Sequence, residues 1–421
     1  MGRATLALRR LHDVYDAHGG MVRSLANMRV LAITQIWPNS VEPLSSSFNL
    51  QQFKCLAGKC DLTVLAAVAY VPGAGLLGRM DRPPRPALLD RLPARELIGG
   101  IETHYMRQLY VPKIGVPVAV PLYLASLAPY RKLLADADVL LGTWGYPDGC
   151  AVVLAARALG KPCAVKVHGS DLNVIAKRPS ARAVLRHVLP RAHAMVSVSE
   201  ALSDELEGLG VPRPRIHLVA NGVNTDLFAP RDKGEARRAL GLSPTAAVVT
   251  FVGRLEPQKG VGELLEAIPR VRARIGDVVF VLIGEGEWTE RVKKEAAASN
   301  GAIVAPGARP LKEVAQWLAA SDVLTLPSWM EGTPNVVLEA LASGRPVVAT
   351  RVGGIPDVLA DPGAGRLVPA RDARALADAL GVTIERVRRG ELPPERMRAL
   401  GPKSWDESAG ALFDVLRSIH A

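Results

Sequence analysis

The sequence predicts an α/β protein built of two parallel-sheet domains that face each other across a cleft. Short apolar runs alternate with helical patterns along the whole chain, as expected for strands buried on both faces of a parallel sheet. This rhythm runs twice, broken by the polar, turn-rich segment Asn221–Pro230, NGVNTDLFAP. The 421 residues are also enough for two domains of ordinary size. Open parallel sheets bind ligands beyond the C-terminal ends of their strands, so the site is expected in the cleft.

Residues 1–27 carry Arg3, Arg9, Arg10 and Arg23 without the apolar stretch or cleavage site of a secretory signal. They read as a disordered extension or an overcalled start, outside the fold. The first domain is expected over residues 28–225. Met28 leads into a strand at Val30–Thr34, then a loop from Trp37 to Ser47 and a helix at Phe48–Ala57. Further strands are expected at Asp61–Ala67, Val139–Thr143, Cys163–Val167, Ala194–Val198 and Ile216–Val219, with helices such as Ala151–Leu159 and Ala201–Leu209 between them. Residues 72–118 are rich in Pro, Gly and Arg and read as an irregular excursion with room for one strand. The second domain, residues 226–403, has strands at Ala247–Phe251, Val278–Ile283, Ile303–Ala305, Val323–Leu326 and Val347–Thr350. Residues 404–421 hold a last helical pattern, Trp405–Ile419, expected to pack back on the first domain.

A hydrophobic content of 48% with 22% charge excludes bulk disorder. The four cysteines form no C-x-x-C pair and read as free thiols of a reducing compartment, neither a zinc site nor a disulfide frame. The formal charge of +11 is concentrated in residues 1–230, where 26 Lys and Arg face 17 Asp and Glu. Such a basic half suits an anionic membrane surface or an anionic acceptor, and equally fits an Arg-rich background composition. No nucleic-acid-binding motif accompanies it, so no nucleic-acid partner is expected. No apolar run reaches the ~18 residues of a membrane span, which leaves a soluble or peripherally attached protein.

The densest chemistry lies in Pro327–Leu359, PSWMEGTPNVVLEALASGRPVVATRVGGIPDVL. Glu331 sits in a loop before a helix for which Thr333 is the expected N-cap and Pro334 the first residue. Glu339 falls inside that helix, which stops at Gly344. The free amides and dipole between the two carboxylates favour an anion. A phosphate with hydroxyl-rich groups at both ends fits, which is the shape of a nucleotide-sugar.

The strand Ala247–Phe251 leads into Gly253-Arg254-Leu255-Glu256-Pro257-Gln258-Lys259-Gly260. Gly253 allows close approach of backbone, and Arg254 and Lys259 suit a departing diphosphate. A solvated basic turn is the alternative. The segment lacks the P-loop pattern, and Val281–Gly286 (VLIGEG) lacks the third glycine of a dinucleotide fingerprint. In the first domain His168 follows a strand end, where it could meet a sugar hydroxyl. Asp171 reads as the N-cap of a helix over Leu172–Lys177, and Ser197 and Ser199 as a turn and a cap.

Together these segments resemble the retaining nucleotide-sugar glycosyltransferases of family 4, which have the GT-B fold of two Rossmann-like domains. The resemblance rests on the Glu-x7-Glu element of Glu331 and Glu339, with VGRLEPQKG (252–260), VHGSDLN (167–173), VSVSEAL (196–202) and NGVNTDLF (221–228) in family order. The wording EGTPNVVLEALASGRPVVATRVGGIP is similar to the subgroup that makes bacterial surface polysaccharides, teichuronic-acid type included. The resemblance implies that Gly253, Arg254 and Lys259 bind the donor diphosphate. Glu331, with Gly332, Thr333, Asn335 and Val336, would bind the transferred sugar and phosphate, and Glu339 the ribose. His168 would stand beside the sugar and stabilise an oxocarbenium-like transition state. It further implies front-face transfer with retention, no metal or other cofactor, and a lipid-linked or glycan acceptor at the cytoplasmic face of the plasma membrane. One feature departs from the family: the first loop, PNSVEPLSSSF, carries Ser45–Ser47 where many members have a Gly-Gly pair. Two other activities remain open, a nucleotide-sugar epimerase of the same architecture and a non-catalytic sugar-nucleotide-binding module.

Overall fold

The computed structural model describes residues 28–43, 46–71, 85–109, 115–400 and 403–420. The expected N-terminal extension, Ser45 and parts of the 72–118 excursion lie outside the described residues.

The strands of the first sheet are β1 (Arg29–Thr34), β2 (Asp61–Tyr70), β3 (Arg95–Ile98), β4 (Ile101–Leu109), β5 (Val139–Gly142), β6 (Cys163–Lys166), β7 (Ala194–Ser197) and β8 (Ile216–Leu218). They form one eight-stranded sheet in the order β3-β4-β2-β1-β5-β6-β7-β8. Every pairing is parallel except that of β3 with β4. The second sheet holds β9 (Ala247–Val252), β10 (Val278–Ile283), β11 (Ile303–Gly307), β12 (Val323–Leu326), β13 (Val347–Thr350) and β14 (Gly365–Val368). Its six strands are all parallel, in the order β11-β10-β9-β12-β13-β14. The fold is thus α/β, with two Rossmann-like parallel-sheet domains.

Burial on both faces explains why the strands read as unbroken apolar runs. Along β1, Val30 and Ala32 join a core with Val64, Leu141, Ala164 and Val196, while Leu31 and Ile33 join Leu65, Leu140, Val165 and Met195 on the other side. The first of these cores is covered by Phe53 and Leu56 of the helix Ser47–Ala57. It is also covered by Ala409, Leu412, Val415 and Leu416 of the helix Trp405–His420. This last helix therefore returns from the second sheet to the first. The outgoing and returning segments run side by side, with the Val223 amide donating to the Lys403 carbonyl at 3.0 Å.

The excursion after β2 holds two strands rather than one. Gly99 and Gly100, both at positive φ (60° and 88°), make a two-residue turn that pairs Leu97 with Glu102. The edge strand β14 was also not anticipated, because its four residues, GRLV, are too short and mixed to stand out. Among the described residues all four cysteines are free, and no helix is long and apolar enough to cross a membrane.

Candidate functional site

The C-terminal ends of β6, β9 and β12 bring most of the singled-out residues to the junction between the sheets. After β12 the chain runs through Ser328 to Glu331. Its Oε1 accepts from Lys259 Nζ at 2.7 Å and from Ser328 Oγ at 2.6 Å. The Glu331 side chain is 9% exposed and that of Lys259 21%, so the pair is largely withdrawn from water. Gly260, next to Lys259, has φ 69°, and a Cβ there would lie 1.9 Å from the Pro327 carbonyl. Glycine is thus required for the Lys259 turn to nest against the Glu331 loop. Arg254 is not drawn into this cluster. Its side chain is 73% exposed and stands 3.0 Å from Glu256.

The helix after Glu331 spans Asn335–Ala342, one residue later than expected, with Pro334 at the N-cap position. Thr333 is not the cap: its hydroxyl donates to the Val198 carbonyl of the first domain at 2.7 Å. A long-range partner has outcompeted the local one. Asn335 opens the helix and accepts from Asn221 Nδ2 at 2.9 Å. Val336 packs against the second-domain core. Glu339 is buried, and desolvation alone pushes its carboxyl up to about 7.

On the opposite wall, His168 follows β6. Its ring contacts Phe48, with centroids 5.1 Å apart, and Trp144, stacked at 6.3 Å. The residue keeps some exposed surface, yet its Nε2 is enclosed and has no hydrogen-bond partner. Burial, then the nearby Lys166 charge, holds its pKa well below the usual histidine value, so the ring is neutral. Asp171 does not cap a helix over 172–177. That stretch is a short helix, Ser170–Asn173, followed by a 3-10 turn, and Asp171 lies inside it. Its buried carboxylate accepts from the amides of Gly145, Gly169 and His168 instead, holding the His168 loop to the end of β5. Ser199 caps the helix Glu200–Gly208 and Ser197 bonds to Ser203.

The two walls touch. A Cβ on Gly332 would stand 1.9 Å from the His168 carbonyl, so only glycine admits this approach. Asn173 Nδ2 donates to the Glu331 carbonyl at 3.2 Å, and the Glu200 amide to Asp357 at 2.8 Å. Asn173, Trp144, Asn221 and Lys166 were not singled out from sequence. Asn173 and Asn221 lay within the segments VHGSDLN and NGVNTDLF, and Lys166 left a signal as a charge within the otherwise apolar strand CAVKV. The resulting site offers a cation, a carboxylate and a helix start from one domain and a neutral imidazole from the other. Those groups suit an anion bonded to a polyhydroxy group.

Comparison with known proteins identifies the family and the fold. The family described as "Glycosyl transferases group 1" matches residues 246–386, and "Glycosyltransferase Family 4" matches residues 84–227. A Bacillus subtilis protein named for teichuronic acid biosynthesis, TuaC, is 28% identical over 378 residues, 84% of this chain and 88% of that one. A D-inositol 3-phosphate glycosyltransferase of Corynebacterium urealyticum is 34% identical over 261 residues, 58% of this chain and 61% of the relative. In fold, the crystal structure of Anabaena Alr3699/HepE in complex with UDP superposes with a TM-score of 0.71 at 18% identity, covering 93% of this chain and all of that one. The two matched regions fall on the two sheets in the order the motifs require, and the chain belongs to the group 1, family 4 glycosyltransferases of GT-B fold.

Proposed function

We propose that the protein transfers a sugar, with retention of anomeric configuration, from a nucleotide-sugar to a lipid-linked or polysaccharide acceptor in cell-surface glycan assembly. The observation that carries this reading is the meeting of His168 with the Lys259-held Glu331 loop across the domain junction. Lys259, the amides at the start of Asn335–Ala342 and a reoriented Arg254 would meet the charge on the departing diphosphate. Glu331 would hold the transferred sugar, and Glu339 the ribose. A neutral His168, reoriented to free its enclosed Nε2, would bond a sugar hydroxyl without placing a positive charge beside an oxocarbenium-like centre. In front-face transfer the bond from the anomeric carbon to the phosphate oxygen breaks as the acceptor oxygen bonds on the same face. The acceptor's proton passes to the departing phosphate oxygen.

The HepE complex with UDP supports a nucleotide-sugar donor, and relatives named for teichuronic and colanic acid biosynthesis support a surface-glycan acceptor. We place the enzyme at the cytoplasmic membrane face, its basic first domain towards anionic lipid. No metal is required in this scheme, because protein cations and amides supply the counter-charge.

The test is incubation of the purified protein with UDP-, GDP- and ADP-sugars and membrane extract as acceptor source. Release of nucleoside diphosphate with one donor, undiminished by EDTA, is expected. No release with any donor overturns transfer, and an epimerised nucleotide-sugar without release points to the epimerase.

A further inference from the structure

Lys166 is fully buried in β6, on the side of the sheet covered by the helices Ser47–Ala57 and Trp405–His420. Among the described residues no carboxylate pairs with it. Its Nζ donates to Gln52 Oε1 at 2.6 Å and reaches Asn221 Oδ1 at 3.5 Å. Two relays start there. Gln52 Nε2 donates to Ser408 Oγ at 2.9 Å, whose hydroxyl donates to the Ala220 carbonyl at 2.6 Å. Asn221 Nδ2 donates to Asn335 Oδ1 at 2.9 Å, the first residue of the helix that follows Glu331.

In its ammonium form, populated below about pH 7, Lys166 has only protons to give, so whatever faces it must accept. Lys166 therefore turns the oxygen of Asn221 inward and its NH2 towards Asn335. Asn335 must then present its own oxygen to Asn221, which leaves its NH2 at the start of the helix. A flipped Asn335 would show a carbonyl oxygen there, facing an anion.

We propose that Lys166 is a positioning residue of the donor site, which through Asn221 sets the direction of the Asn335 amide so that its NH2 meets the donor phosphate. This rests on the donor-site reading above. The first relay ties the same lysine to the return helix and the interdomain segment, so one buried group links the first sheet, both crossing segments and the donor helix. Burial pulls Lys166 down to about 7.

Asn221→Asp separates this role from packing. The aspartate still accepts from Lys166, now as an ion pair, but it cannot donate to Asn335 and instead invites its NH2 inward. Calorimetry on the full chain with UDP, GDP and ADP should show a loss of affinity of about tenfold or more for the nucleotide that wild type binds, with no fall in Tm. Lys166→Met should raise the donor KM by a similar factor with a smaller change in kcat. Combined with Asn335→Ala, it should add little further loss, because both act on one relay. Wild-type affinity in Asn221→Asp, or full additivity of the Lys166 and Asn335 variants, overturns the relay. If Lys259→Ala also binds the nucleotide normally, the donor-site reading itself has failed.

Discussion

Glu339 is the most exacting test of the proposed donor helix. Burial raises its carboxyl from 4.5 to about 7 with no charged partner to offset the cost. At about 1.4 kcal/mol per pH unit, ionising it in the folded protein costs roughly 3 kcal/mol. The sign follows from the raised value. The stability from the bound proton is fully present below about pH 4.5 and is lost as the pH rises through about 7. Glu339→Gln stays neutral throughout, so its Tm should lie within about a degree or two of wild type near pH 5 and exceed it by several degrees near pH 8.5. The gain should come with lost function, because a neutral amide accepts more weakly from ribose hydroxyls than a carboxylate. Nucleoside diphosphate affinity should fall about tenfold at pH 8. Thermal unfolding from pH 5 to 8.5 and calorimetry at pH 8 provide both readings. A Tm difference that does not change with pH would refute the burial argument, and unchanged affinity would refute the ribose role.

Lys259→Met leaves the Glu331 carboxylate with Ser328 as its side-chain donor. It should destabilise the protein by about 1–3 kcal/mol, reduced from a fully buried pair by partial exposure, and abolish transfer. Adding Glu331→Gln should restore the Tm but not turnover, and restored turnover would remove Glu331 from the site. Gly332→Ala places a methyl group against the His168 carbonyl. Transfer should fall about a hundredfold while nucleotide binding persists, and wild-type turnover would show that the approach of the two walls is dispensable. Sedimentation with anionic liposomes should weaken as salt rises through ~0.15 M, where screening reaches about 8 Å. Salt-independent binding, or none, would count against electrostatic attachment.

Much of the architecture was legible in the sequence because the strands are buried on both faces. Val323–Leu326 and Val347–Thr350 are uniformly apolar and bounded by turn residues, so they stand out without any knowledge of their neighbours. The hairpin at Gly99–Gly100 carried a turn signal, but the charges of RELI and IETHYMRQL masked the strands beside it. Local reasoning also placed the residue types of the candidate site at strand ends and at a helix start.

What the sequence alone determined is therefore local: the apolar periodicity, the turn residues and a set of chemically apt side chains in a recognisable order. Tertiary packing decided how those side chains pair. Lys259 and Glu331 lie 72 positions apart, and Lys166 and Asn221 lie 55 apart. Nothing local can announce such contacts. Thr333 and Asp171 show the same limit from the other side. Each had a suitable local cap to make, and each gained a partner the fold brought near, the Val198 carbonyl for Thr333 and the Gly145 amide for Asp171, which also bonds the neighbouring His168 and Gly169 amides. A buried hydrogen-bonding group takes whichever satisfied geometry the packed structure offers, and that choice exists only once the two sheets have met.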